Sequence, residues 1–251
     1  MVRGTRRRFD GLEVGLLLAL ALVAGGVVEH WYLNPAGDAA LRARYGRHHW
    51  SHGPEEWIIR DFFKDRRDGV FLDVGSADAR VGSNTYFLES QLGWSGIAVD
   101  ALAEYEASYK TYRPRTKFFA LFAGDQSDAQ ATVYVSSQRR ESSSTSRDFA
   151  VAYGGKNVEA RTVPTISLND LLAQTGVERI DFLSMDIELG EPRALAGFDM
   201  RRYRPALVCI EAHAGLAQWL LDYFAGQGYA LVDDYIHVHN ENFFFAPVAK
   251  R

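Results

Sequence analysis

Val70-Phe71-Leu72-Asp73-Val74-Gly75 is a short apolar run that ends in an acid and a glycine. A run this short, rich in β-branched and aromatic residues, reads as a strand buried on both faces, as parallel strands of an open α/β sheet are. Such sheets bind ligands at the carboxyl ends of their strands. A glycine there lets backbone approach a ligand where a Cβ would collide. The next segment, Asn84 to Leu92, places Tyr86, Phe87 and Leu88 among polar residues and predicts a helix packed on the sheet. Trp94-Ser95-Gly96-Ile97-Ala98-Val99-Asp100 is then a second strand, again ending in an acid. Asp73 and Asp100 are separated by one strand–helix–strand unit, and an acid at the second strand's end can accept from both hydroxyls of a ribose.

The turn between them, Gly75-Ser76-Ala77-Asp78-Ala79-Arg80-Val81-Gly82, is not a G-x-G-x-x-G, and the chain has no G-K-[ST] phosphate loop. That disfavours a pyrophosphate dinucleotide and an oxidoreductase built on one. It favours a nucleoside without phosphates, such as S-adenosylmethionine, whose sulfonium and amino-acid tail want acidic and carbonyl partners. Asp73 supplies one acid, unless it only caps the following helix.

Further along, Thr116 to Phe122 predicts a third strand, with Asp125 on the adenine side of the site, and Ala131 to Val135 a fourth. Gln138 to Phe149 is serine-rich and charged, and reads as a mobile surface loop, either a plain linker or, the preferred reading, a lid over the substrate. Arg161 to Thr165 is extended, and Ser167 caps a helix that follows. Ile180 to Glu188 is another buried strand ending in Asp186 and Glu188, after which Gly190-Glu191-Pro192 opens a helix. Arg204 to His213 is the next strand, and it too ends in ionisable groups. Gly215 to Gly226 is helical, and Tyr229 to Asp233 and Asn242 to Pro247 form an antiparallel pair.

Adjacent strand ends bring Asp186, Glu188, Glu211 and His213 toward one crevice beside the cofactor. His213 can act as general base on a substrate hydroxyl at neutral pH. Alternatively, these groups bond only one another or cap helices, or the carboxylates and imidazole hold a divalent cation.

The 251 residues suffice for one sizeable domain and an appendage, and 47% are hydrophobic. The net charge of -4 gives no pull toward nucleic acid. One cysteine, Cys209, lies in an apolar run, which excludes an internal disulfide and reads as core. Residues 1–33 hold Arg3, Arg6, Arg7 and Arg8 followed by the uncharged apolar run Val14 to Val28. Three readings fit it: a membrane anchor extended through residue 33, a cleaved signal peptide, and a helix lying on the domain or in the membrane interface. The anchor is preferred, with the catalytic domain facing the cytoplasm where its cofactor is made, although the leading arginines favour the opposite orientation. Residues 34–69 form a connector, with a turn at Asn34-Pro35-Ala36-Gly37, a short helix near Ala39 to Arg47, and an amphipathic helix from Pro54 to Phe63. The histidines around Trp50 read as polar surface.

Residues 70–251 are thus expected to be a doubly wound α/β domain. Its motifs resemble those of the FkbM-type methyltransferases: Phe71 to Gly75, Gly82-Ser83-Asn84-Thr85-Tyr86-Phe87-Leu88-Glu89, Gly93-Trp94-Ser95-Gly96 with Asp100, and Ser184-Met185-Asp186-Ile187-Glu188 with Gly190-Glu191. The resemblance implies a mostly parallel, seven-stranded Rossmann-like sheet, S-adenosylmethionine as cofactor, and methyl transfer to oxygen, as on a sugar, lipid-linked glycan or other small metabolite. By position it implies that Asp73, Gly75, Ser76 and Asp78 form the cofactor turn, with Ser83, Asn84 and Thr85 beside it. Asp100 would hold the ribose, with Ala101 beside it; on the reading of the strand ends, Asp186, Glu188 and His213 are the catalytic candidates, and Asp186 also touches the cofactor. Two departures stand out. Ser76-Ala77-Asp78-Ala79 replaces the family's Asn-Asp-Gly, and Glu188-Leu189-Gly190-Glu191 replaces Glu-Gly-x-Glu. The second touches the crevice and keeps open a non-catalytic nucleoside-binding scaffold.

Overall fold

The structure, a computed structural model, describes residues 35–213, 215–235 and 242–249. The main sheet has seven strands in the order β3-β2-β1-β7-β8-β10-β9. They are β1 (Val70–Val74), β2 (Ser95–Asp100), β3 (Thr116–Ala120), β7 (Phe182–Met185), β8 (Leu207–Glu211), β9 (Tyr229–Leu231) and β10 (Asn242–Pro247). β1, β2, β3, β7 and β8 run parallel, and β10 is antiparallel to both β8 and β9. This is the α/β fold that the buried strand runs predict, in the mostly parallel, Rossmann-like form that the family resemblance implies. The order reverses across β1, whose neighbours are β2 and β7, and that switch point is where such sheets open a ligand crevice.

Apolar side chains pack on both faces of the sheet. On one face, Leu72, Val74, Leu183, Val208 and Ile210 meet helices α6 (Leu168–Thr175) and α9 (Ala217–Gly226). On the other, Phe71, Phe182, Leu207 and the fully buried Cys209 meet Trp57, Ile58, Ile59 and Phe63 of α2 (Glu55–Phe63) and Leu88 and Leu92 of α3 (Tyr86–Leu92). The amphipathic connector helix is therefore part of the domain's own core. The apolar face read from its sequence, Trp57, Ile58 and Phe62, does turn to the domain, with Ile59 and Phe63 buried more deeply than Phe62.

A second sheet, ordered β4-β6-β5, is built from β4 (Phe122–Gly124), β5 (Gln130–Ser136) and β6 (Val158–Ser167). Thr116 to Phe122 is thus not one strand. The chain leaves the main sheet at Leu121, whose N–H is taken by the Asp100 carbonyl, and Phe122 joins the small sheet. The turn expected at Pro35 is also replaced: α1 (Pro35–Tyr45) begins there, where a proline's missing N–H costs nothing. Ser167 caps α6 as expected, its hydroxyl accepting from the Asp170 N–H.

Among the described residues, no helix is long and apolar enough to cross a membrane. The run Val14 to Val28, its extension to residue 33 and the expected N-terminal helix lie outside the described residues.

Candidate functional site

The loops after β1 and β2 fold onto each other. Gly75 has a left-handed backbone (φ 77°) and donates its N–H to the Val99 carbonyl at 2.9 Å. A Cβ on Gly75 would stand 1.7 Å from the Asp186 carbonyl oxygen, so only glycine lets the loops after β1 and β7 touch. Asp100 closes the other side. Its carboxylate accepts from the Ala77 N–H at 3.0 Å and from the Leu102 N–H at 2.8 Å. Burial nevertheless pushes its pKa up to about 6.

Between these loops lies a hollow of about 550 Å³ including its open mouth. Gly75, Ala77, Asp100 and Ala101 form one wall, and Asp186, Ile187 and Glu188 another. Leu102, Tyr105, Phe122 and Val133 supply an apolar flank suited to a flat heterocycle, and Arg140 to Thr145 cover it from the small sheet.

The turn is braced from beneath. Thr85 donates its hydroxyl to Asp73 Oδ2 at 2.6 Å and receives Arg113 Nη2 at 2.9 Å. Arg113, fully buried, also donates to Glu89 at 2.6 Å and to the Ala79 carbonyl at 3.0 Å. Burial raises the pKa of Asp73, while Thr85 and Arg113 work against that rise.

The far wall is acidic. Asp186 keeps access to solvent at the mouth of the hollow, though protein surrounds it on its other sides; that enclosure and the charges of Glu211 and Glu188 push its pKa well up. His213 Nε2 lies 3.0 Å from Glu188 Oε2 and 2.8 Å from Glu211 Oε2. One ring N–H cannot align with two acceptors; it bonds Glu188, and Glu211 Oε2 is left with an ion-pair contact but no hydrogen bond. These two carboxylates raise the His213 pKa to about 10. Glu191, wholly buried, accepts from the Ile187 N–H through Oε1, while its Oε2 has no partner among the described residues. The backbone bends sharply here: Glu188 and Leu189 are left-handed, with φ of 54° and 76°. Leu189 thus stands in a conformation that suits the glycine of the family pattern.

Of the residues singled out in the sequence, the structure brings Gly75, Asp100, Ala101, Asp186 and Glu188 to the hollow. His213 stands behind Glu188. The expectation that it is a free neutral base is corrected, because a ring held by two carboxylates carries its proton at neutral pH. Asp125 is also corrected: it is half exposed, paired with Arg193 at 3.0 Å, and outside the hollow's lining. Asp73, Ser83 and Thr85 are buried beneath the turn, and the Asn84 amide donates to Ser184. Asp78 accepts the Arg80 and Val81 N–H groups and so shapes the turn rather than lining the hollow. Ser76 lies between two lining residues, its buried hydroxyl without a partner among the described residues. The segment Gln138 to Phe149 does cover the hollow, but as ordered structure. It has a 3-10 turn at Arg140–Ser142 and the start of α5 (Arg147–Gly154), and it is pinned by Ser144, which bridges to Tyr134 and donates to the Glu188 carbonyl at 2.6 Å.

The reading of the sequence did not place Tyr105, Arg113, Arg140, Ser144 or Glu191 in these roles. Only Glu191 carried a signal, its place at the start of a helix immediately after an acidic strand end.

The model of the family described as "Methyltransferase FkbM domain" matches residues 73–231. No curated protein matches the chain. Among solved structures, precorrin-6y C5,15-methyltransferase from Geobacter metallireducens GS-15 is similar at 10% identity and TM-score 0.42, over 76% of this chain and 85% of that one. The 1,6-didemethyltoxoflavin-N1-methyltransferase of Burkholderia thailandensis is similar at 12% identity and TM-score 0.40, over 98% and 93%. A SAM-dependent methyltransferase from Geobacter sulfurreducens, in complex with S-adenosyl-L-homocysteine, is similar at 13% identity and TM-score 0.37, over 80% and 74%.

Proposed function

Because the chain belongs to the FkbM methyltransferase family, we propose that this S-adenosylmethionine-dependent methyltransferase acts on a hydroxyl of a sugar, a lipid-linked glycan or another small metabolite. One observation carries the reading: the carboxyl ends of β1, β2 and β7 meet at a single hollow, with Asp100 and Asp186 in its walls.

The residues present fit the cofactor. The Asp100 carboxylate keeps lone pairs for ribose hydroxyls after its two backbone bonds, the spare Ser76 hydroxyl lies in the adjoining turn, and Leu102, Tyr105 and Phe122 offer apolar surface. S-adenosylmethionine, when bound, supplies an electrophilic methyl carbon on a sulfonium that leaves as a neutral thioether, so no protein nucleophile is needed. The chain's work is to orient the acceptor oxygen, exclude water and take one proton. Asp186 is placed to take it, because its carboxyl opens onto the hollow while Glu188 and Glu211 are engaged by His213. The cover formed by Arg140 to Thr145 narrows access and selects the acceptor. The apolar run Val14 to Val28 supports an acceptor held at a membrane, with the domain on the cytoplasmic side.

Titration calorimetry with S-adenosylhomocysteine tests the cofactor site, and transfer of labelled methyl to candidate acceptors tests the reaction. Transfer to hydroxyl acceptors that is lost in Asp186→Asn is the expected result. Nucleoside binding without transfer to any acceptor would favour the scaffold reading, which the left-handed Glu188–Leu189 bend keeps in view.

A further inference from the structure

Four carboxylates gather at the acidic wall, Asp186 and Glu188 lining the hollow and Glu191 and Glu211 behind them, with too little positive charge to balance them. Oxygens of Asp186, Glu191 and Glu211 lie within 4.8 Å of one another, and so do ligating atoms of Glu188, Glu211 and His213. Glu211 belongs to both groups. Among the described residues, no lysine or arginine forms an ion pair with any of the four, and His213 is the one cationic partner they have. The nearby Arg193 is turned away to Asp125. A buried carboxylate without a counter-charge is costly, and most buried polar atoms find a partner. Glu191 breaks both rules: it is 0% exposed and its Oε2 has none.

We propose that Glu188, Glu211 and His213 ligate one divalent cation of the Mn²⁺ or Mg²⁺ class, the ion taking the place of the proton that His213 Nε2 releases to solvent as it binds, with Glu191 buried beside Glu211. The distances suit it. Ligands about 2.1 Å from an octahedral ion are separated by about 3.0 Å along each edge, and the two contacts of His213 Nε2 are 3.0 Å and 2.8 Å. The donor set is oxygen-rich with a single imidazole, which suits Mn²⁺ better than copper or structural zinc, with their preference for more nitrogen or sulfur. Phe149 packs edge-on against the His213 ring, with centroids 4.9 Å apart, and helps fix its orientation. Resting on the methyl-transfer reading, the ion's task is to polarise the acceptor oxygen next to Asp186.

The test uses the full chain, stripped with EDTA and desalted, and titrated with Mn²⁺ alone while electron paramagnetic resonance reads the free ion. The expected result is one Mn²⁺ per chain, with affinity reduced about tenfold or more in Glu211→Gln and in Glu188→Gln. Glu104→Gln, a surface carboxylate paired with Arg161, leaves it unchanged. Thermal melts identify any variant that fails to fold, and the half-buried Glu188 provides the second variant should Glu211→Gln do so. Absence of binding up to millimolar Mn²⁺, or undiminished binding in folded Glu211→Gln, overturns the inference. S-adenosylhomocysteine binding in EDTA is measured on the same sample. If it persists while Mn²⁺ does not bind, the cation site falls and the methyl-transfer reading stands; Mn²⁺ binding without the nucleoside gives the reverse.

Discussion

The two walls of the hollow handle buried charge in opposite ways. Beneath the cofactor turn, Asp73 is held by Thr85, Thr85 by Arg113, and Arg113 by Glu89, which also accepts from the Arg115 N–H and the Thr116 hydroxyl. Each of these acids is answered from within the chain. At the opposite wall, Glu188 and Glu211 share one imidazole, and among the described residues Asp186 and Glu191 have no ion pair and two carboxylate oxygens have no hydrogen bond. The first wall is finished as it stands and serves to hold shape. The second is incomplete until something positive or proton-bearing arrives, which is the condition expected of a reacting centre.

The contrast predicts its own breaking points. Arg113→Ala strands the Glu89 charge in the core and is expected to destabilise the fold by about 3–5 kcal/mol in denaturant titration; a loss under about 1 kcal/mol would show that this wall does not depend on its ion pair. Asp100→Asn keeps the fold but is expected to weaken S-adenosylhomocysteine binding by about 10–100-fold, as removal of charge-assisted bonds does. The wild-type affinity has a direction in pH as well. Ribose hydroxyls stabilise ionised Asp100, whose free-state pKa is about 6, so binding releases a proton. Affinity therefore rises as pH is raised toward 6 and levels off above it, whereas Asp100→Asn shows no such rise.

On the acidic wall the expected sign is reversed. Glu191→Gln removes a buried carboxyl whose pKa burial raises to about 7, and keeps the acceptor for the Ile187 N–H. It should stabilise the metal-free protein by about 1 kcal/mol in thermal melts; destabilisation would mean that this carboxylate already has an answer. The smallest effect belongs to Leu189→Gly, which relieves a left-handed leucine at φ 76° and loses part of the gain to glycine's greater freedom when unfolded. A net stabilisation on the order of 0.5 kcal/mol is expected.

Much of this was legible in the sequence because strands buried on both faces are continuous apolar runs, and the acids at their ends interrupt those runs visibly. Asp100 and the convergence of Asp186, Glu188, Glu211 and His213 follow from that alone. What stayed hidden depends on contacts distant in sequence. Arg113 sits in a stretch with the look of a basic surface turn, and its partners Glu89 and Thr85 lie 24 and 28 residues away. Asp125 follows an apolar run like the other acids, but that run changes sheets at Leu121 and carries it out to Arg193. The serine-rich cover looked unstructured because its order comes from Ser144 reaching Tyr134 and Glu188, not from local propensity.

The absent side chain at Gly75 has a lasting consequence. With the Asp186 carbonyl lodged where a methyl group would otherwise stand, the loops after β1 and β7, to which the proposal gives the cofactor and the acceptor, form one bracket. Descendants of this chain can therefore change their choice of acceptor only by editing what surrounds the bracket. The small sheet and the segment it carries are where that history would be written.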